Sequence, residues 1–208
     1  PAPLSLQTGV AALNYSGSFP AARLQVVDPT LPVEVQLVGT SQFFPGSSGK
    51  MNSTADPGVL FSLTVHNPST AREPVGVSAM FNLPDIFNAS QFEAGMINTS
   101  GAGFVVVTHP DEKRTKTQAA GEMAVSVVVR GQVAGTSSAW SAQVGASLVE
   151  NLNALELGKG KLGGVGGMHK LIAPFNHAAI AIGPLTLQPG ETHTIDFVLA
   201  WNFPTHCW

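Results

Sequence analysis

Apolar and polar residues alternate along much of the chain. Over residues 59–66, Val59, Phe61, Leu63 and Val65 recur at every second position, with Ser62, Thr64 and His66 among their neighbours. That is the two-residue period of a strand with one buried face. Asn67-Pro68-Ser69 ends the run, because proline has no amide proton for a ladder and turns its predecessor away from helix. A second alternating run begins at Pro74 and carries Val75, Val77 and Ala79. The two runs are expected to pair as a hairpin. A lone hairpin is unstable in water, so further strands must cover its apolar face.

Residues 104–108 read as a strand too apolar to face water on either side, and further strands are expected over residues 22–27, 31–38, 122–129, 178–182, 185–187 and 194–201. In the last of these Ile195, Phe197, Leu199 and Trp201 share one face. Residues 1–19 read as edge strands and turns, and 82–103 as irregular, anchored by Phe81, Phe87 and Phe92. Asp111-Glu112-Lys113-Arg114 reads as a hairpin tip, and Gln188-Pro189-Gly190-Glu191 has the chemistry of a type II turn. One helix is predicted over 143–157, from Val144, Leu148, Leu152 and Leu155, with a glycine-rich loop over 157–167. The expected fold is all-β, a two-sheet antiparallel β-sandwich of roughly ten or more strands with at most one or two short helices. The whole of 1–208 is expected to be one domain.

Composition agrees with many short strands and tight turns: 22 Gly and 15 Pro in 208 residues. Only 11% of residues are charged, so the surface must be largely hydroxyl, amide and glycine. A net charge of −3 provides no basic footprint for nucleic acid or an anionic membrane. No apolar run approaches the length that spans a bilayer. The first residue is Pro1, without a signal sequence, so the chain is expected to be processed or a fragment. Cys207 is the one cysteine, which excludes an internal disulfide. Four sequons, at Asn14, Asn52, Asn88 and Asn98, all read as loops. They are candidate N-glycosylation sites and favour a secretory origin over a cytoplasmic one.

Candidate chemistry is sparse. Gly158, Gly160 and Gly163 spell G-x-G-x-x-G, but the fingerprint needs a strand before it and a helix after it, and here a predicted helix precedes it. A flexible loop is the simpler reading. The histidines at 66, 109, 169, 177, 193 and 206 lack a helical metal spacing, and His66 and His193 read as exposed polar residues beside turns. Thirteen acids spread along turns nominate no pair for glycosidic acid–base work. No catalytic residue, metal ligand or cofactor site is assigned.

The ordered blocks Phe19-Pro20, residues 28–37 (DPTLPVEVQL), residues 41–45 (SQFFP), residues 61–69 (FSLTVHNPS) with 74–78 (PVGVS), residues 121–124 (GEMA), and residues 187–191 (LQPGE) with 197–204 (FVLAWNFP) resemble the N-terminal domain of glycoside hydrolase family 116. This is the family of β-glucosidases and non-lysosomal glucosylceramidases. The middle, 82–117 and 134–174, does not align. The resemblance implies a β-sandwich packed on a following (α/α)-barrel that holds the catalytic carboxylates and takes the glucoside or glycolipid substrate. Trp201, Phe203 and Trp208 are then the expected seam with that barrel. The rival reading is a non-catalytic extracellular β-sandwich glycoprotein of adhesion or surface and filament assembly, motivated by the low charge and the sequons.

Overall fold

The computed structural model describes residues 10–41, 58–68, 73–84, 91–97, 102–108, 122–130, 140–145, 148–159, 161–162, 169–172 and 177–202. Twelve strands and one helix lie within them: β1 (Ala12–Ser18), β2 (Ala21–Val27), β3 (Glu34–Ser41), β4 (Gly58–His66), β5 (Val75–Pro84), β6 (Gln91–Ile97), β7 (Ala102–Thr108), β8 (Glu122–Val129), β9 (Trp140–Gly145), α1 (Leu148–Leu157), β10 (His169–Ile172), β11 (His177–Leu187) and β12 (Thr192–Asn202). A nine-stranded sheet runs β1-β2-β3-β4-β12-β8-β7-β6-β10, and a three-stranded sheet runs β5-β11-β9. Every pairing in both sheets is antiparallel. The all-β sandwich expected from the alternation is what the chain forms.

The core lies between the two sheets. From the large one come Val65, Val105, Val125, Val127, Val129, Ile195 and Phe197; from the small one Ala79, Leu83, Ala178, Ile180 and Leu187. Phe81 of β5 reaches across the gap with its ring centroid 5.6 Å from both Phe61 and Phe197, all three rings tilted. Such a tilted cluster adds about 1 kcal/mol per ring pair beyond simple burial. On β12 the row Ile195, Phe197, Leu199 and Trp201 faces inward, as its spacing predicts.

The hairpin expected from 59–66 and 74–81 does not form. β4 pairs with β3 and β12 in the large sheet, whereas β5 pairs with β11 in the small one. The connection arches from one sheet to the other. The reason is that alternation fixes which face of a strand is buried but not which neighbour it takes, and two runs that both carry an apolar face can sit opposite each other across a core. β11 and β12 form a second arch of the same kind. Its turn is the expected type II: Glu191 N donates to Gln188 O at 2.9 Å, and Gly190 has φ 81°.

Asn67 ties the two arches together. Fully buried, it donates from its backbone N to Glu191 O at 2.9 Å and accepts from Gly190 N at 2.7 Å. Its Nδ2 donates to Leu187 O at 2.9 Å and to Glu73 O at 3.3 Å.

A third layer covers the outer face of the small sheet. Residues 178–183 of β11 are buried on both faces: Ala178, Ile180 and Ile182 enter the intersheet core, while Ala179 and Ala181 lie with Leu162 under Ala154 and Leu155 of α1. Two alanines in that row let the helix come close. The helix begins five residues later than the periodicity predicts, because 140–145 is strand β9, whose residues Trp140 to Gly145 pair with Ile182 to His177. Leu148 is exposed and the buried centre of the helix is Asn151.

Two further corrections concern the middle. The stretch read as irregular contains β6 and the start of β7, which pair with each other from Gln91–Thr108 to Ile97–Ala102. β10, beyond the glycine-rich loop, pairs with β6. The 111–114 tip and Phe87 lie outside the described residues.

Candidate functional site

Of the three seam residues, Trp201 is described. It stands half-buried at the end of the inward row of β12, opposite Met123 of β8. Phe203 and Trp208 lie outside the described residues. Register shows what else shares that end of the sheet. Leu199 is opposite Val59, and Val59 is opposite Ser41. Ser41 N in turn donates to Pro20 O in the β1–β2 turn at 3.3 Å.

At this end a groove of about 470 Å³ opens between the β1–β2 turn and the start of β4. Its floor follows from the sequence. Gly17, Ala22, Gly39 and Phe61 occupy one row across four neighbouring strands, so three small residues in succession leave a depression beside one ring. The Tyr15 ring lies over Gly17, where a Cβ would run into its hydroxyl end. Tyr15 and Phe19 line the groove and are the two most exposed large apolar side chains described, at 68% and 76%. The polar lining is the hydroxyls of Tyr15, Ser18, Thr40 and Ser41, and no charged side chain takes part. Charge-free and aromatic, the groove can bury apolar matter but lacks the carboxylates of hydrolytic chemistry. Neither Tyr15 nor Phe19 was singled out from the sequence as a surface residue. The signal available was the Gly17/Gly39 pair, which acquires meaning only through the register.

Asn14 is exposed, but in the middle of β1 opposite Gln25 rather than in a loop. β1 is one of the edge strands expected within residues 1–19, and the sequon falls inside it rather than in a turn. The sequons at Asn52, Asn88 and Asn98 lie outside the described residues.

Several polar groups elsewhere hold the fold. Arg130 grips Asp196 with two bonds, Nε to Oδ2 at 3.0 Å and Nη2 to Oδ1 at 2.8 Å, while Ser62 Oγ donates to Oδ1 at 2.7 Å. Glu191 Oε2 accepts from Gln188 N at 2.7 Å, and its Oε1 lies 3.1 Å from His193 Nε2. His193 is therefore a half-buried partner of the turn. His66 Nδ1 meets Thr192 Oγ1 at 2.8 Å. Asp28 accepts from the Thr30 hydroxyl at 2.6 Å, from Thr30 N at 2.9 Å and from Ala11 N at 3.0 Å. Those bonds, the Thr30 hydroxyl foremost, hold its carboxyl below the ordinary value.

A chain of side-chain bonds crosses from the helix into the small sheet. Gln143 Nε2 donates to Asn151 Oδ1 at 2.9 Å, Asn151 Nδ2 donates to Asn82 Oδ1 at 2.8 Å, and Asn82 Nδ2 stands 2.8 Å from His177 Nδ1. Each member serves as a neighbour's partner. This network spans β9, α1, β5 and β11.

The described part of the glycine-rich stretch is a helix ending. Gly158 N donates to Ala154 O at 2.8 Å, Lys159 N to Glu156 O at 3.0 Å with φ 53°, and Lys161 N to Gly158 O at 3.2 Å. A Cβ at Gly158 would collide with Lys161 O. Leu162 N then donates to Ser141 Oγ of β9 at 2.8 Å. Among the described residues no group of three or more His, Cys, Asp or Glu gathers as a metal site. No helix among them is long and apolar enough to cross a membrane.

The family model described as "beta-glucosidase 2, glycosyl-hydrolase family 116 N-term" matches residues 4–207. No curated protein matches the chain.

Proposed function

The chain belongs to glycosyl-hydrolase family 116 as its N-terminal domain, and from that premise we propose that it is the non-catalytic scaffold of a β-glucosidase or glucosylceramidase-like hydrolase. The carrying observation is the match of residues 4–207 to the family's N-terminal domain, on a chain that forms an all-β sandwich. Catalysis then resides in a separate (α/α)-barrel domain, where two carboxylates act on a glucoside or glycolipid by a retaining mechanism. The sandwich packs on that barrel and supports one wall of its cleft, with Trp201, Phe203 and Trp208 along the seam.

The test is hydrolysis of an aryl β-glucoside by the full-length protein, with and without residues 1–208. Loss of activity or a lower thermal midpoint of the barrel on deletion supports the role. An equally active and equally stable barrel overturns it.

A further inference from the structure

We propose that the groove between Tyr15 and Phe19 is the docking surface for the catalytic domain that follows β12, receiving an apolar side chain or short apolar segment from it. This rests on the scaffold reading above. It extends the seam from the last strand to the first hairpin, a region that none of the three tryptophan and phenylalanine seam candidates includes.

Four observations converge on this face. Tyr15 and Phe19 expose more of themselves than any other large apolar residue described, and they flank one concavity. Exposed aromatics clustered around an uncharged concavity mark an interaction surface. Second, β12 ends at the same end of the sheet: Val59, a groove wall, is opposite Leu199, three residues before the strand ends at Asn202. The last residues of β12 therefore lie at the groove's end of the large sheet. Third, the lining carries no charge, so an apolar occupant would strand no ion in a dry interface. Fourth, the family to which the chain belongs as an N-terminal domain implies a catalytic partner domain to fill it.

A saccharide fits less well. The lining provides Ser, Thr and Tyr hydroxyls but no carboxylate or side-chain amide to fix a sugar's orientation by charge-assisted or paired bonds.

The experiment uses the full-length protein with the photo-cross-linker benzoylphenylalanine in place of Phe19, and separately in place of Val198, which is exposed on the outward row of β12. The expected result is a cross-link from position 19 to a peptide of the catalytic domain. Tyr15→Asp with Phe19→Asp is then expected to speed amide exchange at 59–61 at least about tenfold, the loss of one anchor pair. Four results overturn the proposal: cross-links from position 19 to a second copy of residues 1–208; no protein cross-link together with protection of Tyr15 by a cello-oligosaccharide; unaltered exchange at 59–61 in the double variant; or a cross-link to the catalytic domain from position 198 but not from 19. In the last case the scaffold reading stands and the groove assignment alone falls. If deletion of 1–208 also leaves the barrel unchanged, both fall.

Discussion

The side-chain amide of Asn67 donates to the carbonyl oxygen of Leu187 at 2.9 Å, joining the end of β4 in the large sheet to the end of β11 in the small one. The residue is wholly buried, and its backbone holds both sides of the type II turn at Gly190 and Glu191. Among the described residues Oδ1 has no partner. Asn67→Ala removes two donated bonds and leaves Leu187 O without this donor, an expected loss of about 2–3 kcal/mol. Asn67→Asp is expected to cost at least as much, since a carboxylate there cannot donate and is buried. Urea unfolding checks both: the midpoint should fall while the slope stays constant.

Trp140 packs flat on the backbone of Gly103, where a Cβ would overlap the indole. Gly103→Ala is expected to destabilise by about 1–3 kcal/mol through overpacking. Gly76→Ala is the control, because no heavy atom stands within 4 Å of a Cβ there. Tryptophan emission during thermal unfolding should separate the two variants.

The ten residues of α1 are too few for a stable helix in isolation. Asn151 fastens it to the small sheet through Gln143 and Asn82. Asn151→Ala is expected to raise exchange of the α1 amides while those of β4 and β12 stay protected, which native-state hydrogen exchange can resolve.

Asp28 is expected to titrate below 3.8, the ordinary value. A depressed carboxyl stabilises above its unfolded value and loses that contribution as pH falls through the folded one. Thr30→Val removes the largest cause, the hydroxyl bond, and should move the midpoint upward, as followed by carboxyl NMR.

Arg130 and Asp196 form a bidentate pair whose carboxylate side chain is 13% exposed and whose guanidinium is 59% exposed. A double-mutant cycle through Arg130→Ala and Asp196→Ala should return a coupling of about 0.5–1 kcal/mol, weakened by salt because half of the pair faces solvent.

Periodicity carried most of the fold. It located β2, β3, β4, β5, β8 and β12 because each alternates, and it located β11 although residues 178–183 are buried on both faces. It could not tell that β4 and β5 belong to different sheets, since what separates them is the tertiary set of bonds around Asn67. It started α1 too early because Val144, counted into the helical period, belongs to β9 and pairs with Ala178 of β11. The groove was illegible for a different reason. Gly17, Ala22 and Gly39 sit on three successive strands and become one row only through strand register.

The position of β12 between β4 and β8 also has a consequence during synthesis. The central strand of the large sheet is the last one made. While translation is in progress, β1 to β4 and the β8-β7-β6-β10 half can each assemble, but each ends on a bare row of amides and carbonyls. Residues 192–202 close both rows in one step, zipping against β4 from Thr192 to Ala200 and against β8 from Ile195 to Asn202. A nascent chain stalled before Thr192 would hold two half-sheets with sticky rims, ready to pair with whatever strand came next.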